Sequence, residues 1–234
     1  MPEQAHAPRY ALYFAPAAGS AWDRFGAAWL GRSAYTGESL EQPEIPGVDA
    51  GRFRALTDAP RRYGFHATLK APFRLAAGRT LDELLQELPM SFGQMPSFRM
   101  PAMKVAVLDR FLALVPDGDE TQINRVADEC VTRFDRYRQP ADAGEIARRR
   151  SAELTPREDE YLLRWGYPYV LDAFRFHMSL TGPLGSDAEA AALKRAAASL
   201  MPGEILRFDA VTLFREPSPG AELRVAGRAS LAAP

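Results

Sequence analysis

A nine-residue string occurs twice in this chain, and that repetition limits the fold more than any other feature. Phe65-His66-Ala67-Thr68-Leu69-Lys70-Ala71-Pro72-Phe73 and Phe176-His177-Met178-Ser179-Leu180-Thr181-Gly182-Pro183-Leu184 share an aromatic lead, an H-x-[ST] triplet and a late proline. Only 3 histidines exist, so two of them sit in the repeat. A capping box follows each copy, Thr80-Leu81-Asp82-Glu83 and Ser186-Asp187-Ala188-Glu189, and then a proline and a pair of strands. A unit used twice predicts related halves, about 9–108 and 110–231, within one bilobed domain. The 234 residues, 47% hydrophobic, suffice for such a core without a membrane span.

Alternation and turn signals predict strands at 9–14, 64–73, 98–108, 111–115, 172–184, 205–215 and 222–231. Helices are predicted at 20–30, from 80 to near Pro89, through 123–137, from 155 onward, and from 186 to just before Pro202. Residues 31–62 read as a Gly/Pro-rich loop. The charged stretch 139–169, with Arg148-Arg149-Arg150 and the box Thr155-Pro156-Arg157-Glu158, reads as an inserted helical segment. Trp165, Tyr167 and Tyr169 are expected to form its own small aromatic core rather than to grip a ligand. The expected architecture is α+β, with two antiparallel sheets, helices on their outer faces and a central cleft.

Strand alternation gives the repeat its chemistry, because successive side chains point to opposite faces. In the first copy Phe65, Ala67 and Leu69 face a core while His66, Thr68 and Lys70 face the other way. In the second copy Phe174, Phe176, Met178 and Leu180 are the apolar set, and Arg175, His177, Ser179 and Thr181 the polar one. Two imidazoles across a cleft suit proton transfer near neutral pH, one taking a proton from a nucleophile and the other giving one to a leaving group. The hydroxyls of Thr68 and Ser179 are placed to donate to the non-bridging oxygens of a phosphoryl group between them. Lys70, Arg175 and Thr181 are expected to add charge or hydrogen bonds.

Other classes are weaker on the same residues. Two histidines without an acidic or cysteine cluster fall short of a three-ligand metal site, so no metal and no cofactor is expected. Lys plus Arg number 29 against 30 Asp plus Glu, a net charge of -1, which argues against long nucleic acid or an anionic membrane as partner. A small nucleotide or sugar phosphate remains open, including to a non-catalytic nucleotide- or RNA-binding module using the same cleft. Cys130 is the single cysteine, which excludes an internal disulfide, and its place in an apolar helical stripe reads as a core residue. Residues 1–10 lack a signal-peptide pattern, so the expected compartment is a reducing cytoplasm, and His6 is expected to be an ordinary surface residue.

Longer strings carry a resemblance. Tyr63-Gly64-Phe65-His66-Ala67-Thr68-Leu69-Lys70-Ala71-Pro72-Phe73, Leu163-Arg164-Trp165-Gly166-Tyr167-Pro168-Tyr169 and Phe174-Arg175-Phe176-His177-Met178-Ser179-Leu180-Thr181-Gly182 resemble the 2H phosphoesterase superfamily. They are similar in particular to its DUF1045 branch, associated with phosphonate-utilisation genes, from Arg9 onward. The resemblance implies a bilobed α+β fold and metal-independent hydrolysis of a small cyclic phosphodiester, a 2′,3′-cyclic nucleotide or cyclic sugar phosphate, or a related 2′-phosphate reaction. It implies catalytic His66 and His177, with Thr68 and Ser179 binding phosphate.

Overall fold

The computed structural model describes residues 7–151 and 153–233. His6 and most of the N-terminal stretch read above lie outside the described residues. Nine strands and seven α-helices follow one another among them. They are β1 (Arg9–Phe14), α1 (Ala21–Leu30), α2 (Ala50–Tyr63), β2 (Ala67–Phe73), α3 (Leu81–Phe92), β3 (Phe98–Arg99), β4 (Ala102–Leu108), β5 (Phe111–Asp117), α4 (Thr121–Arg133), α5 (Ala143–Arg149), α6 (Pro156–Trp165), β6 (Met178–Ser179), α7 (Asp187–Leu200), β7 (Arg207–Phe208), β8 (Ala210–Glu216) and β9 (Arg224–Ser230). No helix among the described residues is long and apolar enough to cross a membrane.

The fold is α+β with two antiparallel sheets of very unequal size. Seven strands form one sheet in the order β4-β5-β6-β2-β1-β8-β9, and β3 with β7 makes a separate ribbon. The two H-x-[ST] copies meet where β2 pairs with β6 through Ala67 and Met178, the central residues of the two triplets. Outward from that join the strands match in pairs: β5 with β1, then β4 with β8. Early and late segments thus cross over, because β4 lies beside β5 while β8 lies beside β1.

One face of the large sheet carries the main core. Leu12, Phe14, Ala67, Leu69, Leu112, Leu114, Met178 and Leu213 pack there against Trp29, Phe53, Leu88, Phe134 and Leu193, which come from or border α1, α2, α3, α4 and α7. Cys130 is fully buried within it. The opposite face of β1 and β8 holds a smaller cluster of Ala11, Tyr13 and Phe214 with Ala34 and Leu223. A third cluster joins Val131 on α4 to Tyr161 and Val170, with Trp165 and Tyr167 packed against it; Tyr169, expected in that core, is instead exposed, and the segment is anchored on α4 rather than built on a core of its own.

Three expectations need correction. Residues 50–63 form a 14-residue helix where a loop is expected: Asp49 caps it, and Phe53, Leu56, Thr57 and Pro60 repeat at helical spacing on its buried side. Pro60 has no N–H for the Leu56 carbonyl, and that carbonyl accepts instead from the Gly182 amide at 2.6 Å. Residues 98–108 break into β3 and β4 at Pro101, which cannot donate to a ladder, so Phe98 and Arg99 pair with β7. The strand expected at 172–184 shrinks to Met178–Ser179, preceded by a 3₁₀ turn at Leu171–Ala173. Its ladder ends because the Leu180 and Thr181 amides both turn to the Leu112 carbonyl, and Gly182 to Leu56.

Candidate active site

The register at the join builds the site. Ala67 faces Met178 directly and both are fully buried in the core, so their neighbours on either side point to the opposite face. Antiparallel continuation of that pair puts His66 opposite Ser179 and Thr68 opposite His177. All four side chains are half-buried. One residue pair at the centre of the sheet thus gathers two imidazoles and two hydroxyls onto one face.

Each imidazole is held the same way. His66 Nδ1 lies 2.9 Å from the Gly64 carbonyl oxygen, and His177 Nδ1 lies 2.8 Å from that of Arg175. A carbonyl only accepts, so Nδ1 carries the proton in both rings and the neutral forms present an Nε2 lone pair. The Thr68 hydroxyl lies 3.1 Å from His66 Nε2 and donates to it. Gly64 aims its carbonyl from φ +80°, and a Cβ there would stand 2.5 Å from that of Ala34, so only glycine fits.

The surroundings of the two rings differ. Tyr13 stacks on His66 at 3.8 Å between centroids and 25° between planes, with Tyr63 and Phe214 at 6.1 and 6.2 Å. Burial among these rings lowers the His66 pKa to about 4; the Gly64 carbonyl opposes the shift and the nearby His177 adds to it. His177 has Phe111 at 5.8 Å, tilted by 56°. Its bond to Arg175 lies exposed.

Arg175 contributes its carbonyl, and its side chain is exposed. Lys70 and Thr181 do not join the imidazoles. Lys70 is 4% exposed, and its Nζ donates to the Val131 carbonyl at 3.1 Å and to Asp135 at 3.3 Å. Burial lowers its pKa to about 8 against the pull of Asp135. Thr181 is 2% exposed, and its hydroxyl accepts the Leu112 amide at 2.9 Å. Both depart from simple alternation for one reason. The register of β1 against β2 slips between Tyr13↔Thr68 and Leu12↔Lys70, and in the second copy two amides share the Leu112 carbonyl at the equivalent place.

Sequence patterning missed the rings around His66. Tyr13 belongs to a strand buried on both faces, so alternation carries no signal there. It also missed two anchors of the second copy, the Trp29 indole N–H donating to the Leu180 carbonyl at 2.9 Å and the Leu56 carbonyl receiving Gly182. Among the described residues no group of three or more His, Cys, Asp or Glu is arranged to hold a metal ion.

Fold and site together define an α+β protein with paired histidine and hydroxyl groups at the centre of one antiparallel sheet. The chain belongs to the family described as "Protein of unknown function (DUF1045)", whose model matches residues 68–224. It is 42% identical over 219 residues, 91% of its own length and 48% of the relative's, to a protein of Janthinobacterium sp. (strain Marseille) named ribose 1,5-bisphosphate phosphokinase PhnN. A protein of the same name from Laribacter hongkongensis (strain HLHK9) is 34% identical over 218 residues, 93% of this chain and 50% of that protein. The chain spans about half the length of these curated relatives.

Proposed function

We propose that this chain is a metal-independent phosphoesterase of the 2H type that opens a small cyclic phosphodiester by two-histidine acid–base catalysis, in phosphonate metabolism. The observation that carries the reading is the Ala67↔Met178 pairing, which sets both imidazoles and both hydroxyls on one face. The matched halves, 9–108 and 110–231, are part of the same proposal, supported by the paired strand order about that join.

The roles follow from the environments. His66, kept neutral by its aromatic surroundings, takes a proton from water at Nε2 while the water oxygen attacks phosphorus. The opposite P–O bond of the ring breaks, and protonated His177 gives its Nε2 proton to the departing oxygen, leaving a phosphomonoester and a hydroxyl. Thr68 turns its hydroxyl from His66 to one non-bridging oxygen, and Ser179 donates to the other.

The names of the curated relatives describe a kinase acting on a ribose bisphosphate, which favours a sugar phosphate over a nucleobase as the recognised group. We assign the kinase activity to the part of those proteins beyond this chain. A nucleotide-dependent kinase of the P-loop kind needs a G-x-x-x-x-G-K-[ST] cradle. Here Lys70, Lys104 and Lys194 follow Leu69, Met103 and Leu193.

Turnover of ribose and nucleoside cyclic phosphates, with and without excess EDTA, tests the reading. The expected result is hydrolysis that EDTA leaves unchanged. Loss of activity with recovery on adding zinc or manganese would overturn the metal-free mechanism, and binding without turnover would leave a recognition module.

A further inference from the structure

Arg32, the residue after the Gly31 cap of α1, is completely buried, yet among the described residues it has no carboxylate within hydrogen-bond distance. Glu222 stands 3.8 Å from its Nε and lies closer, at 2.6 Å, to Arg61. Glu216, another charge with no exposure, is by contrast held by both Arg9 and Arg62. What Arg32 meets instead is backbone. Its Nε donates to the Arg61 carbonyl at 3.0 Å, and its Nη2 to the carbonyls of Arg62 and Leu223 at 3.2 and 3.0 Å. We infer that Arg32 is a positioning residue for His66: its guanidinium fixes the turn whose Gly64 carbonyl keeps the ring proton on Nδ1.

The turn is short and its bonds are shared. Helix α2 ends at Tyr63, and the Gly64 amide donates to the Pro60 and Arg61 carbonyls at 3.0 and 3.1 Å. The Arg61 carbonyl therefore accepts from Gly64 and from Arg32 together. Arg32 Nη2 also lies 3.5 Å from where a Gly64 Cβ would stand. On the far side the Arg62 carbonyl takes the Leu223 amide at 2.8 Å, and the Ala34 carbonyl takes that of Val225 at 3.0 Å. The guanidinium thus sits where the last turn of α2, residues 32–34 and the start of β9 meet. Carbonyls at a helix C-terminus carry partial negative charge, which favours a cation there. A planar fork fixes directions as well as distances, which an ammonium does not.

This arrangement is expensive. Arg32 Nη1 is buried with no partner among the described residues, and a buried charge without a close counter-ion costs more still. Well-packed apolar replacements of buried charges are often neutral or stabilising, so packing does not call for arginine here. Holding three carbonyls in place does. Only Tyr63, Gly64 and Phe65 separate the Arg62 carbonyl from His66. With the Gly64 oxygen 2.9 Å from Nδ1, the neutral ring offers Nε2 as its base. If the turn loosens, the proton is free to move to Nε2, where the ring no longer accepts one. His177 takes its acceptor from Arg175, outside this clamp, and is an internal control.

The effect on turnover rests on the two-histidine reading above; the effect on the ring does not. Nitrogen NMR of the imidazoles near neutral pH reads which ring atom carries the proton. Wild-type His66 is expected to carry it on Nδ1. Arg32→Met, which keeps the bulk, and Arg32→Lys, the milder change, should both move it toward Nε2 and leave His177 as it is. On a cyclic phosphodiester, kcat should fall by as much as about a hundredfold in Arg32→Met and by less in Arg32→Lys, with KM little changed. Variants that unfold at lower urea yet keep wild-type His66 signals and wild-type kcat when folded would make Arg32 a structural residue only and overturn the inference. A wild-type His66 with its proton on Nε2 would overturn it too. If no cyclic phosphodiester is hydrolysed, the catalytic reading fails, and the ring signals of Arg32→Lys still decide the positioning.

Discussion

The two H-x-[ST] triplets share one pattern, yet their surroundings differ. Thr68 pairs across the sheet with Tyr13, whereas the corresponding Ser179 pairs with Ala113. Two residues earlier on those strands the types are reversed, Ala11 on β1 and Phe111 on β5. His66 consequently lies flat on an aromatic ring, and His177 meets, among the described aromatic rings, the tilted Phe111. The strand beside the first copy buries its imidazole among aromatic rings and lowers the His66 pKa, while the motif itself stays constant.

The sharpest way to break this comparison is to remove the imidazoles. His66→Ala and His177→Ala should each lower kcat by about 10²–10⁴, with the double variant little worse than the weaker single one, since each ring is useless without the other. Steady-state kinetics on a cyclic phosphodiester decide it, and multiplicative losses would mean that the rings act independently.

Next come the hydroxyls. Thr68→Val and Ser179→Ala should reduce kcat on the order of 10–10³ while leaving the fold intact, with Thr68→Val the larger because that hydroxyl also contacts His66. A rise in KM at constant kcat would limit both groups to uniform binding.

Tyr13→Leu should make the His66 end resemble the His177 end. Without the stacked ring the imidazole gains water, and its pKa should climb from about 4 toward 6.5. The base is active when neutral, so the acid limb of kcat/KM moves up and activity at pH 5 falls by as much as about thirtyfold. NMR titration of the His66 ring gives the same shift directly; an unmoved limb would separate the stacking from the proton affinity.

The smallest effect is on stability. His66 is harder to protonate in the fold than in the unfolded chain, so between about pH 6.5 and 4 the unfolded state binds more protons. Stability should decline as pH falls through that window, by at most about 3 kcal/mol, and level off below it. Urea unfolding of wild type and His66→Gln at pH 7 and 4.5 isolates this contribution, which should be missing from the variant.

What the sequence discloses about this arrangement is uneven, and the reasons are physical. Helices α3, α6 and α7 are legible because Thr80, Thr155 and Ser186 cap them through local bonds. Helix α2 is hidden because Pro60 reads as a breaker, and the bond that accommodates it comes from Gly182, 122 residues away. The residue types of the candidate site stand out from the repeat alone. Their mutual position depends on the β2–β6 register, a long-range pairing, and the inward turn of Lys70 and Thr181 depends on bulges that alternation cannot foresee.

The crossing of β4 to β5 and of β8 to β1 has a consequence for cutting the chain. On the proposed division, each half lends its last matched strand to the other, so neither can finish its own sheet edge. In topology two such halves correspond to a strand-swapped dimer joined head to tail through the Asp109-Arg110 turn. Fragments divided at that turn are expected to remain unfolded apart, to complement one another when mixed, and to recover the cleft only as a heterodimer.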